Sequence, residues 1–447
     1  MKKNDLVRQP PEGIFASLRY LGPGLILSAS VVGSGELIAT TILGAKAGFA
    51  VLWVLILGCL LKVAVQLEYG RHCICSGKSS FQAWNELPGL RFLQLHWSIH
   101  WGLLSFVAMV IGMGAVMGGA AQAALHAFGL SRIEIWIAIL WAVIALLICI
   151  HKYRIIETSA IIMNFLFVAT ILYCVFALQK TAFAFSLNDI AQGFSVKLPS
   201  KAVVLALTAF GITGIGSGEV IMYPYWCLEK GYAAWTGPRD DSFAWLIRAK
   251  GWIRVMTLDA LVSMIIYTVV TVAFYLLGAS VLHMHTEIKD GEGLVQQLSQ
   301  IFTNVLGPGT TWLFMTGAFA VLFSTAFSNT AGYSHVFSDL LGLYRLYDLR
   351  NPKNKKRVFS ILAVILPGVW GLFYLWLSRP MLLVAILGIA NSVFLLVVAY
   401  QALIFRYRQT DKRIPSSKPY DAFLLLSAAA IGFVAIRSLI TALGEGL

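Results

Sequence analysis

The sequence predicts an all-α polytopic membrane protein made of two inverted repeats, and three observations lead there. Of 447 residues, 58% are hydrophobic and 12% charged, a balance that excludes a soluble globule and a disordered chain. Apolar runs of about 20 residues, the length that crosses a hydrocarbon core, recur from end to end. The hexapeptide Gly33-Ser34-Gly35-Glu36-Leu37-Ile38 returns 183 residues later as Gly216-Ser217-Gly218-Glu219-Val220-Ile221, each copy inside such a run.

The elements follow in order. Residues 1–20 are a polar tail; no small-residue cleavage site follows the apolar run after it, so no cleavable signal is expected. Residues 21–447 form one transmembrane domain. Repeat one, about 21–179, holds spans near 21–44, 48–70, 101–127, 134–150 and 156–179. Repeat two, about 202–404, holds spans near 202–224, 251–280, 310–336, 358–377 and 380–404, and an extra helix lies near 421–443, about 11 helices in all. Five spans per repeat is an odd number, so the repeats cross in opposite senses, which is the design of secondary transporters. The loops near 71–100, 180–201, 225–250 and 337–357 carry no glycine loop with Lys-Ser/Thr, which argues against an ATP-driven pump, and no stretch is long enough for a soluble catalytic domain, so no enzyme is expected.

The net charge of +13 is explained by where the charges lie. With the N-terminus inside, 25 of the 34 lysines and arginines fall in cytoplasmic segments and eight on the opposite face, with Lys62 inside a span. That bias places the N-terminus in the cytoplasm and the C-terminus outside the inner membrane. A basic inner face suits anionic headgroups of the lipid bilayer, so no nucleic-acid partner is required. Cys59, Cys149 and Cys174 fall in spans, Cys227 at a span end, and Cys73 and Cys75 on the cytoplasmic side; none has zinc or redox spacing, and no cofactor is expected. His96 and His100 with Trp97 and Trp101 read as an interfacial belt. His283 and His285 beside Glu287, Asp290 and Glu292 read as solvated loop charge.

The two glycine-serine-glycine segments are where the chemistry is expected. Glycines on both sides of a serine let a helix break at membrane depth, freeing carbonyls on one side and N–H groups on the other. Glu36 and Glu219 follow the breaks. Each either complements the dipole of its own half-helix or, with its counterpart from the inverted repeat, forms one mid-membrane binding site for a substrate or proton. Asp259 and Lys62 lie in spans, where Lys62 either pairs with Asp259 or snorkels inward. Glu68, Glu157 and Asp339 sit at helix ends in structural positions, and His335 reads as a packing residue.

Gly22-Pro23-Gly24-Leu25 with Ser28, Ala39-Thr40, Gly48-Phe49-Ala50 with Leu52-Trp53, and Leu198-Pro199-Ser200 resemble the natural-resistance-associated macrophage protein (Nramp) family of divalent-metal transporters. The resemblance runs over nearly the whole chain. It implies a LeuT-type 5+5 inverted repeat with helices 1 and 6 broken, and proton-coupled uptake of manganese, iron or similar ions. The chain departs from the family at its site. Gly33 stands at the metal-binding aspartate position, Glu36 at the asparagine and Glu219 near the methionine. Ser105, Gly112 and Ala115 stand at the acidic positions tied to proton movement.

The expectation is therefore a hard-oxygen site with Glu36 and Glu219 as metal ligands, favouring magnesium, calcium or manganese. Gly33, Ser34, Gly35, Gly216, Ser217 and Gly218 supply backbone and hydroxyl groups to the substrate, and Tyr223, Asn391 and Asp259 support the site. Two alternatives stay open. Val32-Gly33-Ser34-Gly35 is also similar to the helix-1 break of amino-acid carriers of the same fold, which implies a small organic solute held by freed N–H groups. The lost ligands also fit a family member that keeps the scaffold and no longer transports.

Overall fold

The structure, a computed structural model, describes residues 6–33, 35–129, 132–150, 152–195, 203–283, 299, 307, 311–414 and 417–444. Within these, the description of residues 155, 160, 164, 204, 205, 208, 212, 313 and 441–444 covers the backbone alone. Ser34, the Leu198-Pro199-Ser200 motif and the loop residues His285, Glu287, Asp290 and Glu292 lie outside the described residues.

Every apolar stretch read from the sequence falls on a helix. We number them α1 (Pro23–Val31, then Gly35–Ala47), α2 (Leu52–Ser76), α3 (Trp97–Phe128), α4 (Ile133–Cys149), α5 (Tyr153–Leu178), α6 (Val203–Ile212, then Ser217–Lys230), α7 (Phe243–Leu282), α8 (Thr311–Leu343), α9 (Pro352–Leu377), α10 (Pro380–Gln409) and α11 (Lys418–Gly444). Among the described residues, seven helices are long and apolar enough to cross a bilayer alone, and eight when the bent halves of α1 count as one span. Residues outside the all-helical expectation form a small antiparallel hairpin before α3, with Arg91 opposite His96.

Local chemistry sets the helix ends. Pro23 occupies the first turn of α1, where no N–H is needed. Ser242 starts α7 by accepting the Trp245 N–H at 3.0 Å, and Asn351 starts α9 by accepting the Lys353 N–H at 3.0 Å, both side-chain N-caps. Gly77, in the left-handed region at φ 68°, ends α2.

The packing follows the repeat. The second part of α6 packs on the first part of α1, α7 on α2, α8 on α3 and α9 on α4, so the first four helices of repeat one meet their counterparts in repeat two, while α5 packs on α1, α7 and α8. Helices α1, α2, α6 and α7 form one group and α3, α4, α8 and α9 another, with α10 joining α2, α3, α6 and α11. Close approach is bought with small residues. A Cβ on Gly211 of α6 would lie 2.0 Å from the Gly388 carbonyl oxygen of α10. The outer surfaces of α5 and α11 are apolar and exposed, as at Phe165, Phe176, Leu426 and Phe433, which suits lipid contact.

Candidate functional site: two helix breaks around one cavity

The halves of α1, Pro23–Val31 and Gly35–Ala47, meet at an angle of 45°. The second break lies slightly before the position expected for it. The first part of α6 ends at Ile212 and the helix resumes at Ser217, so Thr213-Gly214-Ile215-Gly216 is the interruption and Ser217 and Gly218 are already helical. Gly214 has φ 62°, a left-handed conformation that glycine adopts without a Cβ clash.

Freed backbone groups at both breaks meet partners from other helices or from the glutamates that follow. At the break in α1, the Thr325 hydroxyl of α8 donates to the carbonyls of Ala29 at 3.1 Å and Val32 at 3.0 Å. The Asn329 amide donates to the Ser30 carbonyl at 3.1 Å. On the amide side, the Gly33 N–H donates to Glu36 Oε2 at 3.3 Å. At the break in α6, the Gly216 N–H donates to Glu219 Oε2 at 3.0 Å. Asn391 Oδ1 of α10 accepts from the Ser217 hydroxyl at 2.9 Å and the Gly218 N–H at 3.5 Å. Each glutamate thus turns back onto the N–H three residues before it, and at Gly216, the N-cap of the second part of α6, this is half of a capping box.

The two carboxylates then diverge. Glu36 is fully buried; its Oε1 accepts from the Gly214 N–H and the Thr271 hydroxyl, each at 3.3 Å, so it links the two breaks. Glu219 is partly exposed and lines a cavity of about 30 Å³, room for an ion or one or two waters. Around it stand Ser30, Gly35, Thr325, Asn329 and Asn391, with Met113 and Tyr333 in the wall. The Asn329 amide nitrogen faces two acceptors, the carbonyls of Ser30 and Thr325. Its oxygen therefore points the other way and has no hydrogen-bond partner. Glu36 is absent from the cavity lining.

The remaining sequence-derived residues lie elsewhere. Asp259 of α7 accepts from the N–H groups of Gly22 at 2.8 Å and Gly24 at 2.5 Å, capping α1 from another helix. The Tyr223 hydroxyl lies 3.2 Å from Asp259 Oδ2, so these two belong to the start of α1 and not to the cavity lining. Lys62 neither pairs with Asp259 nor snorkels; it donates to the carbonyls of Phe210 and Thr213. Glu157 pairs with Lys230 at 2.6 Å, and Asp339 holds Ser79 and, at 3.1 Å, Lys355. His335 stacks near Tyr225, Trp226 and Phe359. No cluster of three or more His, Cys, Asp or Glu side chains with metal-holding geometry occurs among the described residues. Sequence reading missed Thr325, Asn329, Thr271 and Met113. The first two had a signal, since Thr325 and Asn329 are four apart on one helix and share a face.

Comparison with known proteins bears on the fold. A crystal structure of a mutant manganese transporter from Eremococcus coleocola superposes at a TM-score of 0.72, with 15% identity over 99% of this chain and 91% of that one. MhsT in complex with L-phenylalanine aligns at 0.57 with 14% identity, covering 97% of this chain and all (100%) of that one. A nucleobase-cation-symport-1 family transporter in a closed conformation with bromovinylhydantoin bound aligns at 0.54 with 13% identity, covering 94% and 93%. At these identities the likeness shows a shared LeuT-type fold. No protein with a curated description matches the chain. The profile described as "Natural resistance-associated macrophage protein-like" matches residues 24–441, nearly the whole length, and the chain belongs to the Nramp family.

Proposed function

We propose that this protein is a secondary transporter that carries a divalent cation through the cavity between the two helix breaks. The observation that carries the reading is the pairing, in one small cavity, of the Glu219 carboxylate with the unpartnered Asn329 oxygen. An anionic side chain and a neutral one with a free oxygen, lining the same small cavity, suit a hard cation. The family and the manganese transporter of the same fold agree with a metal substrate. Glu219 is the charged ligand in this reading. Glu36 holds the breaks together, and as a second ligand it would have to leave Gly33, Gly214 and Thr271.

The site is remodelled relative to the family pattern. Gly33 offers no carboxylate, and a Cβ there would meet the Thr325 hydroxyl at 2.4 Å. Ser105, Gly112 and Ala115, all buried on α3, offer no titratable group for a proton path. Met113 restores a thioether to the wall from a different helix, so ion preference rests on oxygen ligands with one soft neighbour. The amino-acid alternative is disfavoured by geometry, because the freed N–H groups of Gly33 and Gly216 are already taken by Glu36 and Glu219 and the cavity is about 30 Å³. The N-terminus faces the cytoplasm in this reading. The basic loops at that end touch one another, as in the Arg413–Asp411–Arg239 cluster and the bond from Arg345 to Gln94, in keeping with the positive-inside bias.

Calorimetry and proteoliposome uptake test this with manganese, magnesium, calcium and cadmium, plus a set of amino acids, with and without a proton gradient. Saturable divalent-ion binding and uptake are expected. No binding of any divalent ion would overturn the proposal; amino-acid binding would then favour the solute carrier, and silence in both arms the inactive scaffold.

A further inference from the structure

The break in α6 is closed by two opposite charges on a single peptide unit. Lys62, buried in the middle of α2, donates from Nζ to the carbonyls of Phe210 and Thr213, both at 2.5 Å. It also lies 4.9 Å from the centre of the Phe210 ring. The Thr213 carbonyl and the Gly214 N–H belong to the same peptide, and that N–H donates to Glu36 Oε1 at 3.3 Å. A cation from α2 and a carboxylate from α1 therefore hold the two sides of one amide. No carboxylate among the described residues lies within 4.0 Å of Lys62, so the carbonyls are its partners.

The other break shows that charge is not the fold's default. There the freed carbonyls of Ala29, Ser30 and Val32 are met by the neutral hydroxyl of Thr325 and amide of Asn329. The carbonyl end of a half-helix carries about half a negative charge and, in broken-helix transporters, is a place where a mobile cation binds. At α6 an ammonium group already stands there. We propose that Lys62 is a tethered resident cation that occupies the carbonyl end of the first half of α6, so that this end needs no sodium, potassium or transported ion, and a mobile cation is left with the Glu219 side of the cavity. Only that last clause rests on the divalent-cation reading. Lys62 is a positioning residue here, acting through the backbone that sets the cavity.

Thermal unfolding of the full-length protein in detergent, compared in choline chloride and in sodium or potassium chloride at equal ionic strength with no divalent ion added, tests the proposal. Wild type and Lys62→Arg are expected to melt at the same temperature in all three salts. Lys62→Met is expected to melt lower in choline and to regain a few degrees in sodium or potassium, as a free ion takes the vacated carbonyls. The double variant Lys62→Met/Glu36→Gln, which removes both charges, is expected to be more stable than the sum of the single losses allows. If Lys62→Met does not fold, a folded double variant supports the proposal and an unfolded one overturns it. Salt-indifferent melting of a folded Lys62→Met, or simple additivity in the double variant, also overturns it. Since no metal enters the experiment, failure here and failure of the divalent-ion panel are separate results.

Discussion

Glu219 and Glu36 occupy the same place in their repeats and differ in what their second oxygen meets. A glutamine at 219 keeps an oxygen for the Gly216 N–H and loses the charge that faces the cavity. Glu219→Gln is therefore expected to fold normally and to bind divalent ions at least tenfold less tightly, about 1.4 kcal/mol, by calorimetry; wild-type affinity would remove Glu219 from the site. Because ion and proton compete for one carboxylate, wild-type affinity is expected to fall as pH is lowered. Gly33 is a second test. A methyl group there would lie 2.4 Å from Thr325 Oγ1 and 2.7 Å from its Cγ2, dislodging the hydroxyl that caps the first half of α1. Gly33→Ala is expected to destabilise by roughly 1–3 kcal/mol, read by denaturant unfolding. The carboxylates were legible in the sequence because charge at membrane depth stands out. Their partners were not, since Thr325 lies 293 residues from the Val32 carbonyl it caps and no local pattern joins them.

Each break is an element built from several helices, and its exact position was the least legible part. The repeated motif marks the start of the following half-helix, because a glutamate three residues on reaches back to the glycine N–H; the residue that turns the chain in α6 is Gly214, outside the motif. Loops between helices are fastened in a comparable way. In the α10–α11 loop, Asp411 accepts from the Arg413 guanidinium at 2.8 Å and the Arg413 N–H at 2.9 Å, with Arg239 at 3.0 Å. Arg413 also donates to the carbonyls of Asp240 and Asp241, joining the α6–α7 loop. The Arg413 hydrogen bonds hold the Asp411 carboxyl well below the usual range. A depressed folded pKa means the stabilisation is complete above the unfolded value, about 3.9, and is lost as pH falls below it. Asp411→Asn is expected to flatten the drop in melting temperature between pH 5 and pH 3; an unchanged drop would show that the cluster does not couple to folding.

Across the whole molecule, bilayer thickness made the span positions readable, since each run of about 20 apolar residues had to become a helix. The meeting of α1 with α6 was also implied once the repeats were seen to be inverted. Which faces meet was not, because small residues such as Gly211 and Gly388 set those contacts through shape alone. Topology has a direct test. In a cysteine-free background, Lys355→Cys is expected to react with a membrane-impermeant maleimide only after the membrane is opened; labelling on intact cells would invert the orientation.

The distance along the chain between Lys62 and Thr213 has a consequence for biosynthesis. The ammonium group is made 151 residues before the last carbonyl it binds. At ribosomal speeds of about 5–20 residues per second, that gap lasts roughly 8 to 30 s. During that interval α2 holds a lysine with no completed receptor, so the nascent first repeat must either keep that lysine at the headgroup level or be sheltered by the insertion machinery until α6 arrives.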